Sequence, residues 1–122
     1  MATKKNITVD GIEYVRADTA AAQNKEGLAY VVVRCRGASP HAGYLSEYDA
    51  ATRTAILLEA RRLWRWYGAQ TLSDLAQLGT GKPADCKFNG PSIRVVLTEV
   101  DEIVTCSAAG MASIQGVATW TA

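Results

Sequence analysis

Apolar and polar residues alternate with a period of two through most of the first half of the chain, and the period changes beyond residue 58. Asn6-Ile7-Thr8-Val9 and Ile12-Glu13-Tyr14-Val15 flank Asp10-Gly11. That dipeptide accepts positive φ readily, so the two segments predict a β-hairpin with a two-residue turn. Residues 18–27 are small and polar and read as a loop. Leu28 to Cys35, rich in Val and Tyr, is the strongest strand signal, with Arg34 and Arg36 directed away from the face of Cys35. Gly37-Ala38-Ser39-Pro40 interrupts it, Ala42 to Tyr48 returns as a short strand, and Arg53 to Leu58 reads as a fifth. An antiparallel meander is the economical arrangement.

The next stretch is ambiguous. Ile56, Ala60, Leu63 and Tyr67 fall at i, i+4, i+7 and i+11, the spacing of one helical face, whereas a strand through Arg61 to Trp66 places charge on both faces. A helix over about Glu59 to Tyr67 is favoured, with the strand kept open because the stretch is short. Gly68 stops it. Thr71 then reads as an N-cap with Asp74 three residues on, Leu72, Leu75 and Leu78 share a face, and Gly79 ends the helix. Ser92 to Leu97 and Val100 to Thr105 read as strands, either one long strand or a pair bent near Glu99. Ser107 caps a final helix through Met111 and Ile114 that Gly116 ends. The expected fold is α+β: an antiparallel sheet mainly from the N-terminal half, and two to three short helices in the C-terminal half with short strands between them.

Composition narrows the class without naming a function. At 122 residues the expectation is one domain over 1–122, large enough to bury a core without disulfides or a structural metal. Thirteen Lys and Arg against twelve Asp and Glu exclude a strongly basic sheath for long nucleic acid and an acidic disordered tail. No apolar run approaches the roughly 20 residues of a membrane span, and the first residues lead into alternation rather than a signal-peptide core. A cytoplasmic location without membrane contact is expected. Cys35, Cys86 and Cys106 are far apart and His41 is the only histidine, so no zinc set, metal or cofactor is expected. Cys35 shares the parity of Val31 and Val33 and reads as a buried apolar residue.

The densest candidate chemistry is Arg61-Arg62-Leu63-Trp64-Arg65-Trp66-Tyr67. Guanidinium forks match phosphate oxygens and indole faces stack on bases, so Arg61, Arg62, Arg65, Trp64 and Trp66 suit a phosphorylated, base-containing ligand. On a helix Arg61 and Arg65 reach one anion from one side. The alternative is an amphipathic helix whose rings are core and whose arginine stems cover apolar surface. Arg34, Arg36 and His41 flank the 37–40 loop and converge if the adjoining strands line a cleft; otherwise they are solvated edge residues. Glu99, Asp101 and Glu102 read as charges of an exposed sheet edge more readily than as paired acid and base groups. No known nucleophile, dinucleotide or zinc signature occurs, which favours binding over catalysis.

Several stretches taken in order carry a resemblance. They are His41-Ala42-Gly43-Tyr44-Leu45; Ala60-Arg61-Arg62-Leu63-Trp64-Arg65-Trp66-Tyr67-Gly68-Ala69 with Thr71-Leu72-Ser73 and Leu75-Ala76; Cys86-Lys87-Phe88; Leu97-Thr98-Glu99-Val100 with Glu102-Ile103; and Ser113-Ile114 before Trp120. Together they resemble a family of short tailed-phage and prophage proteins without assigned function. The layout, a strand-rich first half followed by helices and short strands, is similar to that of phage anti-Thoeris sponges. That likeness implies a homo-oligomer that sequesters cyclic ADP-ribose-type signals, and sometimes cyclic oligonucleotides, without cleaving them.

The leading expectation is therefore a phage-type binding protein of the host cytoplasm. It self-associates and traps a small anionic nucleotide-type ligand, with Arg61, Arg62 and Arg65 on phosphates, Trp64, Trp66 or Phe88 against a base, and Asn89 at a base edge. The alternatives are a virion structural protein, such as a decoration or head-completion factor, and a small nucleotide-processing enzyme using His41, Cys35 or the 99–102 carboxylates.

Overall fold

The computed structural model describes residues 7–9, 12–14, 23–24 and 26–121. Two short strands, β1 (Ile7–Val9) and β2 (Ile12–Tyr14), pair antiparallel with Val9 opposite Ile12, as the hairpin pattern predicts; Asp10 and Gly11 themselves lie outside the described residues. A six-stranded sheet follows, built from β3 (Tyr30–Cys35), β4 (Ala38–Asp49), β5 (Thr54–Arg65), β6 (Lys87–Phe88), β7 (Ser92–Leu97) and β8 (Val100–Thr105). Two helices complete the fold, α1 (Leu72–Leu78) and α2 (Ala108–Gly116). The layout is α+β.

β3, β4 and β5 form the expected meander, each antiparallel to the next. β4 is longer than the pattern suggested and runs straight through Pro40. That residue falls where the β3–β4 register slips between the pairs Val33–His41 and Cys35–Ala38, a bulge that tolerates a missing N–H. β7 pairs with β5 on the side away from β4, and β8 pairs with β3 on the side away from β4. Only Thr98 and Glu99 separate β7 from β8, so the sheet curls until its two sides meet in one bent segment. Glu99 makes the bend with φ +53°, and two backbone bonds close the seam: Val100 N–H to the Arg53 carbonyl and Arg36 N–H to the Glu99 carbonyl, both 3.0 Å.

Curling gives the sheet two buried faces. Val31, Val33, Cys35, Ala55, Leu57, Ala60, Leu97 and Val100 fill the inside of the curl. Tyr30, Val32, Ala42, Leu63 and Phe88 face the other way and pack with Leu75, Ala76, Ile114 and Val117 from the helical layer. Every residue of β3 except Arg34 is consequently buried, which explains its nearly continuous apolar run.

The helix favoured over 59–67 is not formed: residues 59–65 are the second half of β5, and Trp66 and Tyr67 follow it outside any regular element. The objection to a strand, charge on both faces, describes what the structure contains. Arg61 points into the core and Arg62 away from it, with Leu63 again inward and Trp64 outward. Inward charge is tolerated because the core supplies carbonyl acceptors at that position, something local periodicity does not encode.

The two remaining helices follow their caps. Thr71 Oγ1 accepts from Asp74 N–H and Ser107 Oγ from Gly110 N–H. Of the three leucines expected on one face of α1, Leu75 is buried and Leu72 half-buried, but Leu78 is 76% exposed. α1 and α2 meet at Gly110, where a Cβ would stand 1.8 Å from the Ala76 carbonyl oxygen. No helix among the described residues is long and apolar enough to cross a membrane.

Candidate functional site

β5 distributes the arginine and tryptophan residues to different surfaces. Arg61, 3% exposed, lies against the helical layer. Its Nε donates to the Asn89 carbonyl at 2.8 Å, Nη1 to the carbonyls of Ile114 and Val117 at 2.8 Å each, and Nη2 to that of Phe88 at 3.4 Å. Four of its five N–H donors are thereby used. Two acceptors lie at the end of α2, where unpaired carbonyls and the helix dipole favour a cation. Burial lowers the Arg61 pKa without removing its charge. The guanidinium also covers the Phe88 ring, 5.5 Å from its centroid. Arg61 is thus a staple joining β5 to β6 and α2, not a free phosphate fork.

Phe88 is fully buried, which corrects the expectation that it stacks on a ligand base. Trp66 packs half-buried against the same core. Asn89 is exposed, and its backbone is engaged on both sides, the carbonyl by Arg61 and the N–H by the Arg62 carbonyl.

Arg34, Arg36 and His41 do not converge. His41 pairs with Val33, so Arg34, the next residue of β3, projects from the opposite face. His41 is buried, Nδ1 lies 2.8 Å from the Ser39 carbonyl, and burial lowers its pKa. Arg34 bonds Glu102 at 3.0 Å, while Arg34, Arg36 and Arg53 gather on Asp101 at 3.9, 4.0 and 3.0 Å. Of the three carboxylates weighed for chemistry, Asp101 and Glu102 are ion-paired at the closing seam, and Glu99 makes the bend. Cys35 is buried in the core, and its thiol pKa is raised by that burial and by Asp101. Burial likewise pushes the Cys106 thiol up to about 12.

Two surfaces carry residues of the candidate set. The first is an aromatic and cationic platform. Trp64 and Trp120 stack with ring centroids 4.9 Å apart and planes at 20°. The Arg65 guanidinium lies 4.9 Å from the Trp64 centroid, and Lys87 Nζ lies 5.7 and 5.5 Å from the Trp64 and Trp120 centroids. Trp64 is 43% and Trp120 37% exposed. The C-terminal stretch is fixed there by a parallel bridge between Thr119 and Phe88 and by Trp120 N–H on the Phe88 carbonyl. Beside it, Ser39, Trp64, Arg65, Trp66 and Tyr67 line an open depression of about 390 Å³. Lys87 and Trp120 carry no local signal, because the register of β6 on β5 and the return of the C-terminus bring them to Trp64.

The second surface is a cleft of about 410 Å³ on the helical side, lined by Tyr30, Tyr44, Glu59, Arg61, Gln115 and Thr119 among others. Only Arg61 was a sequence candidate. The others come from β3, β4, β5, α2 and the C-terminal stretch, and nothing in their local sequence predicts the meeting.

Comparison with curated proteins and with solved structures finds no match to this chain. The model of a domain of unknown function, DUF6948, matches residues 28–114, and the chain belongs to that family.

Proposed function

We propose that this protein binds and sequesters a small anionic, base-containing ligand of the cyclic-nucleotide type, without cleaving it. The observation that carries this reading is the Arg65–Trp64–Trp120 ladder with Lys87 beside it. A base stacks on the outer face of Trp120 and extends the ladder, while Lys87 and Arg65 balance phosphate charge. These four residues offer rings and cations, with no carboxylate or imidazole to act as a general base.

The magnitudes define what one copy can do. A base stacked on an aromatic ring contributes about 1–3 kcal/mol, and each charge-assisted hydrogen bond about 1.5–3 kcal/mol. Association costs at least about 4 kcal/mol. An open platform on one copy therefore binds weakly, and tight sequestration requires a second wall. Self-association of the protein around the platform supplies it, as the sponge-type reading requires.

Titration calorimetry against a panel of cyclic nucleotides and cyclic ADP-ribose isomers tests the proposal. Heat with at least one member, lost in Trp120→Ala and recovered ligand being intact, is the expected result. No heat with any member at high protein concentration removes the reading.

A second reading is favoured by β7, where Ile93 is 90% and Val96 49% exposed. Apolar residues on a strand surface suit an assembly component such as a virion structural protein. Mass-spectrometric detection of the chain in purified particles would support it, and expression confined to early infection would oppose it.

A further inference from the structure

The cleft around Tyr30 and Glu59 has features the platform does not explain. Tyr30 is 1% exposed, and its hydroxyl is the one buried side-chain polar atom among the described residues without a hydrogen-bond partner. Leaving such a group unpaired costs about 1–3 kcal/mol, and the hydroxyl keeps its proton because burial raises its pKa. Tyr30 lies in the cleft lining with Tyr44 edge-on to it, centroids 5.0 Å apart.

Glu59 is the second anomaly. Its φ of +52° is left-handed, an arrangement that costs a non-glycine residue about 1–3 kcal/mol. It lies where β5 carries two residues, Glu59 and Ala60, against the single Gly43 of β4. Glycine at 43 is what lets the strands approach there, since a Cβ on Gly43 would stand 2.9 Å from both the Ala60 Cα and the Leu58 carbonyl oxygen. The bulge breaks the alternation of β5 and brings Glu59 into the lining of the cleft.

The remaining polar groups are only partly used. Tyr44 Oη accepts from Gln115 Nε2 at 3.2 Å and directs its own proton at Met111 Sδ, 3.8 Å away, a weak acceptor. Arg61 has one N–H left after its four carbonyls, and Glu59 brings the opposite formal charge to the same lining. The cleft is therefore close to neutral and does not select a phosphate. It offers hydroxyl donors, an amide and a carboxylate that accepts two hydrogen bonds, in a volume within the range of small-ligand sites.

We propose that this cleft binds a neutral ligand bearing a cis-diol on a sugar ring, with the diol donating to Glu59 and accepting from Tyr30. Sugar hydroxyls donate and accept at once, and an adjacent pair spans the two oxygens of one carboxylate. A free saccharide and the ribose of a nucleoside share this chemistry. The site stands independently of the aromatic platform.

Calorimetry and thermal denaturation with adenosine, 2′,3′-dideoxyadenosine and methyl α-mannopyranoside test it. Adenosine, the mannoside or both bind the wild type, and dideoxyadenosine binds at least about tenfold more weakly than adenosine, a loss of one hydrogen-bonded contact. Binding by adenosine alone assigns the nucleoside source, and binding by the mannoside alone assigns the saccharide. Tyr30→Phe removes the unpaired hydroxyl and Glu59→Gly the strained backbone, so each keeps or raises the melting temperature while weakening binding about tenfold or more. If one variant fails to fold, the other still decides. The proposal is overturned if neither adenosine nor the mannoside binds at about 10 mM, if dideoxyadenosine binds as well as adenosine, or if a folded Tyr30→Phe or Glu59→Gly variant binds as the wild type does.

Discussion

Arg61 and Arg65 are four residues apart on one strand and have opposite settings. Arg61 is enclosed, with four backbone carbonyls as partners and an aromatic ring beneath it. Arg65 is exposed, and its contact is the face of Trp64. Had the segment been helical, the two would have shared a face and one anion. The strand separates them, and the register slip on β6 between Leu63 and Arg65 turns the end of β5 outward. The same residue type thus holds the fold together at one position and is free for a ligand at the other. What distinguishes them is the supply of buried acceptors, not the charge itself.

The largest effect belongs to the enclosed side. Arg61→Leu takes a donor from four carbonyls; those of Phe88 and Ile114 keep Trp120 N–H and Val117 N–H, while those of Asn89 and Val117 are orphaned at about 1–3 kcal/mol each. We expect at least about 2 kcal/mol of destabilisation in urea denaturation. Arg61→Lys does not restore it, because a single ammonium cannot reproduce the spread of a guanidinium fork. A near-neutral Arg61→Leu would mean that water satisfies those carbonyls and that the enclosed and open arginines are alike.

Trp120→Ala probes the open side. A stacked aromatic pair adds about 0.5–1.5 kcal/mol beyond its buried area, and Trp120 is more than a third exposed. The expected loss is about 1 kcal/mol, together with a change in the fluorescence of Trp64, its stacking partner. A loss equal to that of Arg61→Leu would make the platform a structural clasp on the C-terminus and take away its availability to a ligand.

These contrasts also show what the sequence makes legible. The caps at Thr71 and Ser107, the meander of β3 to β5 and the bend near Glu99 depend on local chemistry, and all are where local chemistry puts them. Over the second half of β5 the pattern favours a helix above the strand, because an inward arginine on a strand violates patterning unless acceptors arrive from elsewhere. Those acceptors, Phe88, Asn89, Ile114 and Val117, lie 27 to 56 positions away in sequence. Of the candidate residues, Trp64, Arg65 and Trp66 reach a shared surface, whereas the partners Lys87 and Trp120 are contributed by long-range pairing. The cleft is less legible still, since it depends on a bulge opposite Gly43, where the strands leave no room for a Cβ.

His41 extends the contrast to pH. It pairs in register with Arg62, on the face of β5 opposite Arg61, and is 2% exposed. Desolvation lowers its pKa below the usual 6.5, an effect the Ser39 carbonyl partly opposes and the Arg62 charge reinforces. The unfolded chain therefore binds a proton that the folded protein resists. Stability from this group is full above about pH 6.5 and falls as pH drops through that value towards the folded pKa. Thermal denaturation across that window should show the decline in the wild type and a flatter profile in His41→Gln. An unchanged slope in the variant would show that His41 is solvated enough to titrate normally.

The smallest effect is expected at the closing seam, where cations are most crowded. Asp101 meets Arg34, Arg36 and Arg53, and Glu102 meets Arg34 again. All three arginines are exposed, so water and salt compete for every contact. Beneath them the seam is already held by Val100 N–H on the Arg53 carbonyl and Arg36 N–H on the Glu99 carbonyl, neither of which needs the Asp101 charge. Asp101→Asn should shift the denaturation midpoint less than any change above, and the remaining difference should vanish at about 1 M salt, where the screening length is about 3 Å. A loss comparable with Arg61→Leu that persists at that salt concentration would show that Coulombic attraction, and not the satisfaction of buried acceptors, fixes the arginines of this fold.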